Sequence, residues 1–305
     1  MAFKDVGARF MARCIGYFNE QNPKKVTVLV ATSGDTGGAV ASGFLGIEGT
    51  EVVILYPKGK VSKIQELQLT TNGNNIRAVE VDGVFDDCQE MVKSAFLDED
   101  LKQEFNLTSA NSINVARWLP QSLYFFFAYQ QLVRQGIDAN LVFSVPSGNF
   151  GNICAGIVAS KLGLPVHHFV ASTNINDTVP RYLQTETYHP NPSKQTISNA
   201  MDVGNPSNFI RIQSLFDNNF DALKQRFSSY AFDDNQTRVA LKELYSNYNY
   251  VADPHGAVGY LGLQKYMQEN PMSYGVFLET AHPIKFRDTV EETLNIILDI
   301  PEQIQ

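Results

Sequence analysis

Pro146-Ser147-Gly148-Asn149-Phe150-Gly151-Asn152 follows the β-branched run Leu141–Val145 and leads into an apolar segment with helical spacing near Ile153. From Gly148 to Asn152 the residues carry no charge, offer main-chain N–H groups and include two glycines. The main chain can therefore come close to an anion at the N-terminus of a helix. An ordinary tight βα turn would use the same residue types. An earlier segment, Val28-Leu29-Val30-Ala31-Thr32-Ser33-Gly34-Asp35-Thr36-Gly37-Gly38-Ala39, has the same strand, polar turn and helix, but with an acid in the turn. A carboxylate at Asp35 would repel a phosphate dianion, so phosphate is assigned to the Gly148–Asn152 turn. Hydroxyl or carboxylate contacts are assigned to Ser33, Thr36 and their main chain. Capping by Asp35 or Thr36 explains that turn about as well. No G-x-G-x-x-G occurs, and the next strand ends at Tyr56-Pro57 where a ribose-binding acid should stand, which argues against a dinucleotide site.

Lys4 stands where the first helix begins, and the positive end of a helix dipole lowers an amine's pKa, as a nucleophilic lysine requires. A solvated surface lysine fits the same position. The five histidines show no H-x-x-x-H or H-E-x-x-H spacing, and Cys14, Cys88 and Cys154 form no C-x-x-C pair, so no metal site is expected. His255, in Asp253-Pro254-His255-Gly256, and His282, in Glu279-Thr280-Ala281-His282-Pro283, fall in turns of the kind that line clefts; capping explains them equally.

These candidates must be positioned by repeated βα units. Strands are expected over Val26–Ala31, Glu51–Tyr56, Arg77–Val81, Leu141–Val145, Val166–Ala171 and Tyr274–Leu278. Helices are expected over Asp5–Asn19, Thr36–Phe44, Ser62–Thr71, Phe85–Phe105, Val115–Gln135, Asn152–Leu162, Asn235–Tyr248, Ala257–Glu269 and Pro283–Leu298. Between Ser172 and Asp234 the pattern loosens into an irregular region, and no internal repeat stands out. Alternating strands and helices mean an α/β class with mostly parallel sheet. The 305 residues, 44% hydrophobic and 18% charged, suit a globular chain that buries a full core. A net charge of −8 disfavours a nucleic-acid partner. The longest apolar stretch, Leu123 to Tyr129, is too short to span a membrane. No secretory signal is seen, and the cysteine usage fits a reducing, cytoplasmic location.

Ala2-Phe3-Lys4-Asp5, Ser33-Gly34-Asp35-Thr36-Gly37, Gly148-Asn149-Phe150-Gly151-Asn152, Asn199-Ala200-Met201-Asp202-Val203-Gly204 and Glu279-Thr280-Ala281-His282-Pro283 occur in this order. Together they resemble the threonine synthases, pyridoxal-phosphate enzymes of the tryptophan-synthase-β type, and the resemblance covers essentially the whole chain. It implies mostly parallel twisted sheets in two domains with the cofactor cleft between them: a smaller domain over 22–112 and a larger one from 1–21 and 113–305. It implies pyridoxal 5'-phosphate as cofactor, held covalently by Lys4. The phosphate would lie on Gly148, Asn149, Phe150, Gly151 and Asn152, and Thr280 would face the pyridine nitrogen. Ser33, Gly34, Asp35 and Thr36 would bind the amino-acid end of the substrate, and Asn111, Ser112, Asn114 and Arg117 its phosphate. For Arg117 an ordinary salt bridge explains the residue equally. The implied reaction converts the small molecule O-phospho-L-homoserine and water to L-threonine and phosphate, by γ-elimination and β-addition of water. The alternatives are another lyase of this fold type acting on a different O-activated amino acid, or an inactive fragment. The family carries an upstream region and a Gly-Pro-Thr-Leu stretch before Ala-Phe-Lys-Asp; here Met1 replaces that Leu, which reads as a truncated frame. Oligomeric state is left open.

Overall fold

The computed structural model describes residues 2–21, 25–137 and 139–301; Met1, on which the truncated reading rests, lies outside the described residues. Two compact units divide at Gln121/Ser122. Each contains a four-stranded, wholly parallel sheet among the described residues. In the first unit β1 (Val26–Ala31), β2 (Thr50–Pro57), β3 (Ile76–Val81) and β4 (Asn106–Ser109) lie in the order β3-β2-β1-β4. In the second, β5 (Asn140–Pro146), β6 (His168–Thr173), β7 (Phe227–Ala231) and β8 (Ser273–Phe277) lie in the order β7-β6-β5-β8. The two sheets therefore share one topology, with the order reversing direction beside the first strand of each.

Strands buried on both faces need apolar side chains at odd and even positions alike, which is why these runs are nearly continuous in Val, Ile and Leu. On one face of the first sheet Val26, Val28, Val30, Val52 and Ile54 pack against Ala8, Met11 and Ala12 of the helix Asp5–Gln21 and against Ala39, Val40 and Phe44 of the helix Asp35–Phe44. On the other, Leu29, Ala31, Val53 and Leu55 meet Cys88 and Val92 of the helix Phe85–Leu97. Ala8, Met11 and Ala12 belong to the first sheet's core, so residues 2–21 pack with the first unit, as do 113–121. The expected boundary at 22 touches residues 22–24, outside the described residues.

In the second unit Phe125, Phe143 and Phe169 form an aromatic cluster, with Phe125 and Phe143 centroids 4.9 Å apart. Gly156 admits it, since a Cβ there would lie 2.5 Å from the Phe125 ring. The helix Pro254–Glu269 covers the other face closely: Ser144 donates to the Gly259 carbonyl at 2.6 Å, and a Cβ at Gly262 would strike Ser172 Oγ.

Two expected helices are broken. Phe85–Phe105 divides at Asp98, whose side chain caps a second helix, Glu99–Glu104. Val115–Gln135 becomes Val115–Trp118, a 3-10 turn through Pro120, and Ser122–Arg134, because proline cannot continue the hydrogen-bond ladder. Strands β4 and β7 were not anticipated. The region Ser172–Asp234 holds the helices Thr178–Thr185, Phe209–Leu215 and Phe220–Arg226.

Candidate functional site

Ligands of parallel sheets gather beyond the carboxyl ends of the strands, where strand order reverses. In the first unit that place lies between β1 and β4, and every candidate of this unit is on the segments that leave those two strands or packs on them.

Thr32, fully buried, staples the turn after β1: its hydroxyl accepts from the N–H of Gly34 at 2.9 Å and of Gly37 at 2.8 Å. The N-cap of the helix Asp35–Phe44 is Gly34, with φ 132°, and neither Asp35 nor Thr36 caps it. A side chain at Gly34 would be strained at that φ and would collide with Gln65, 2.4 Å away. Asp35 is buried and accepts from Gln65 Nε2 at 3.2 Å, while Ser33 and Thr36 are half-buried. The turn thus buries its acid and leaves its two hydroxyl residues partly accessible.

After β4, Asn111 clamps the end of β1: its Oδ1 accepts from the Ala31 N–H at 3.0 Å and its Nδ2 donates to the Ala31 carbonyl at 2.6 Å. Asn114 caps the helix Val115–Trp118 and donates to the Ser109 carbonyl at 3.1 Å. Both amides hold main chain in this loop, which bridges two strand ends. Ser112 is half-buried. Arg117, 2% exposed, donates from Nε to the Ala110 carbonyl and from Nη1 to the Lys4 carbonyl at 3.2 Å. Burial lowers its pKa to about 10, and Asp5 opposes that shift. Arg117 is a buried brace on the main chain of Lys4. Gly7 permits the approach, since a Cβ there would overlap the Arg117 carbonyl. Lys4 itself is half-buried, one residue before the first helix, and its carbonyl also accepts from Ala8 N–H at 3.1 Å.

In the second unit the reversal lies between β5 and β8. The Ser147–Phe150 segment leaves β5, and Leu278–Thr280 leaves β8, with Leu278 N–H donating to the Ser144 carbonyl at 3.0 Å. The helix Gly151–Lys161 opens with no side-chain cap on its N-cap, Phe150, which sits in the left-handed region at φ 62°. Phe150 is held there by burial against Phe209, 5.9 Å away. Its first turn contains no acid, in contrast to the helix beginning at Asp35. An uncapped, acid-free helix start is suited to a phosphate. Asn149 and Asn152 fix the loop: Asn149 Oδ1 accepts from Ser207 N–H at 2.6 Å, its carbonyl accepts from Asn208 Nδ2 at 2.8 Å, and Asn152 Nδ2 donates to the Pro146 carbonyl at 2.7 Å. Gly148 lies directly on Ala200 and Met201, where a Cβ would stand 2.6 Å from the Met201 Cα. Thr280 is half-buried.

The 3-10 turn Asn199–Met201 that supports Gly148 is anchored by Asp202. Its carboxylate accepts from Asn174 Nδ2 at 2.8 Å, Thr196 Oγ1 at 2.8 Å and Thr196 N–H at 3.0 Å. Burial pushes its pKa up to about 7 against these donors. Asp202 was legible only as part of a motif, since nothing in its spacing gave it a role.

Residues 1–278 match the family described as pyridoxal-phosphate dependent enzyme, and residues 256–305 match the C-terminal part of threonine synthase. The threonine synthase of Escherichia coli K12 is 48% identical over 304 residues, covering 100% of this chain and 69% of that protein. The chain belongs to the threonine synthase family. The crystal structure of the Escherichia coli threonine synthase superimposes with a TM-score of 0.93, covering 100% of this chain and 69% of that one. The PLP-bound threonine synthase from Brucella melitensis, 33% identical, gives 0.88 and covers 100% of this chain and 70% of that one. Membership makes this a pyridoxal-phosphate-dependent enzyme by family, spanning about 70% of the length of these relatives.

Proposed function

We propose that this threonine synthase family member converts O-phospho-L-homoserine and water to L-threonine and phosphate, with pyridoxal phosphate held by Lys4, Gly148–Asn152 and Thr280. The observation that carries the reading is the start of the helix Gly151–Lys161, acid-free and with no side-chain cap at Phe150, which follows β5, the strand paired with the one that leads to Thr280. When bound, the cofactor supplies an electron sink adjoining the substrate's α-carbon. The main-chain N–H groups of Gly148–Asn152 hold its phosphate, and Thr280 offers a neutral hydroxyl to the ring nitrogen. Lys4 tethers the cofactor and, when released, its amine takes the proton from Cα. Arg117 braces that amine through the Lys4 carbonyl. Ser33 and Thr36 bind the substrate carboxylate with hydroxyl and main-chain donors. Cβ also loses a proton, phosphate leaves Cγ, Cγ gains a proton, and water gives its hydroxyl to Cβ while a proton returns to Cα.

The substrate is a small molecule, and the net charge of −8 supports no nucleic-acid role. A reducing, cytoplasmic setting suits the unpaired Cys14, Cys88 and Cys154. Among the described residues no helix is long and apolar enough to cross a membrane. Borohydride reduction of the cofactor-loaded protein followed by peptide mapping tests the reading. The cofactor is expected on Lys4. Attachment at Lys58, Lys60 or Lys63 would overturn the assignment.

A further inference from the structure

The turn before the helix Pro254–Glu269 and the segment after β8 carry buried acid and imidazole groups to which the reaction above gives no part. Asp253, fully buried, caps the helix: its Oδ1 accepts from the His255 N–H at 2.8 Å and from His255 Nδ1 at 2.6 Å. The other ring nitrogen, Nε2, receives the main-chain N–H of Ala200 at 3.1 Å. A main-chain N–H can only donate, so Nε2 bears no proton and the ring is the neutral Nδ1–H form. Among the described residues no amide, hydroxyl or ring N–H reaches Asp253 Oδ2 or Glu279 Oε1, both buried; the Asp253 main-chain N–H donates to the Glu279 carboxyl, and the two carboxyl groups are close neighbours. Two carboxyl groups can bond only through a proton, and the single imidazole proton is already placed. Asp253 Oδ1 already accepts two N–H groups against the single main-chain N–H at Glu279, so the proton between the carboxyls is placed on Glu279. Burial first, then the charge of Asp253, pushes the Glu279 pKa up to about 10.

Glycine makes both ends of this chain possible. A Cβ at Gly256 would lie 2.1 Å from Glu279 Oε2, so only glycine lets that carboxyl rest on the first turn of the helix. At the far end Ala200, held by His255, lies against Gly148. The connection thus runs from Thr280 through its neighbour Glu279 to Asp253, His255, Ala200 and Gly148. We infer that Glu279, Asp253 and His255 are positioning residues, in which one shared proton ties the segment bearing Thr280 to the support of the Gly148–Asn152 loop and so fixes the spacing between the two ends of the cofactor's seat. This rests on the reading that Thr280 and the loop hold pyridoxal phosphate.

The test uses the full chain and pyridoxal phosphate itself. Glu279→Gln keeps a neutral donor toward Asp253 and should bind the cofactor within about twofold of wild type, with the same absorbance band. Glu279→Ala leaves Asp253 Oδ2 buried without a donor and should weaken cofactor binding about tenfold or more, with a shifted band. His255→Leu breaks the chain at Ala200 and should do the same if Glu279→Ala does not fold. Infrared difference spectra of wild type against Glu279→Gln should show a protonated carboxyl at neutral pH. Its absence, a folded Glu279→Ala or His255→Leu with wild-type affinity, or a Glu279→Gln as impaired as Glu279→Ala would each overturn the inference. A wild-type protein that binds no pyridoxal phosphate would instead overturn the cofactor reading, and this inference with it.

Discussion

Arg117 shows how one side chain can support a reactive group without touching substrate. Its guanidinium is buried between the carbonyls of Ala110 and Lys4, with Asp5 supplying the neighbouring charge. Arg117→Ala strands those carbonyls and leaves Asp5 without its counter-charge, so it should lower stability by about 3 kcal/mol, measured by urea unfolding. If Arg117 instead served only a substrate anion, stability would be unchanged and only KM would rise. Glu279 makes a second residue-scale prediction, in pH. Folded, it stays protonated up to about 10, whereas in the unfolded chain it ionises near ~4.3. Between those values the folded state binds one more proton, so this group's contribution to stability falls as pH rises. Glu279→Gln lacks that dependence, and its stability relative to wild type should climb by up to about 1.4 kcal/mol per pH unit between about pH 5 and pH 8. The groups facing the pair are His255, Tyr250, pushed up to about 12, and His282; they are common to both proteins and cancel in the difference. A gap that stays flat with pH would mean that Glu279 is ionised in the fold.

At the scale of elements, the two strand–turn–helix segments differ in how their helices start. The first is stapled by Thr32 and carries Asp35 in its first turn; the second is uncapped and opens with Gly151-Asn152-Ile153. Gly151→Asp reverses that difference. An acid at a helix start favours the helix itself, so the fold should persist while a phosphate dianion is repelled. Cofactor affinity should fall at least about tenfold in a protein with unchanged circular dichroism. The contrast between the two turns was legible in the sequence because charge and glycine content are local properties. The main-chain contacts of Asn111, Asn114 and Arg117 were not, because polar side chains at a strand end bind main chain or ligand with the same residue types. Strand β4 has four residues and β7 is Phe-Ser-Ser-Tyr-Ala, so neither carries the long β-branched run that marks β1 and β2. Their pairing with β1 and β6 makes them strands, and pairing is a tertiary property.

At the scale of the whole molecule, one strand order occurs twice, and in each unit the candidate residues gather where that order reverses. The repetition was not visible as repeated sequence, because topology is set by the order of burial and pairing and not by residue identity. Cofactor binding should stabilise the second unit's loops by mass action, about 2.7 kcal/mol at a hundredfold excess over Kd. Hydrogen exchange should therefore show added protection over 147–153, 199–208 and 278–281. The most direct test of the proposed activity is turnover of the intact chain: incubation with O-phospho-L-homoserine and pyridoxal phosphate, with phosphate and L-threonine quantified together. Equimolar phosphate and threonine, both abolished by Lys4→Ala, are the predicted result. Phosphate released without threonine, or turnover that survives Lys4→Ala, would contradict the account.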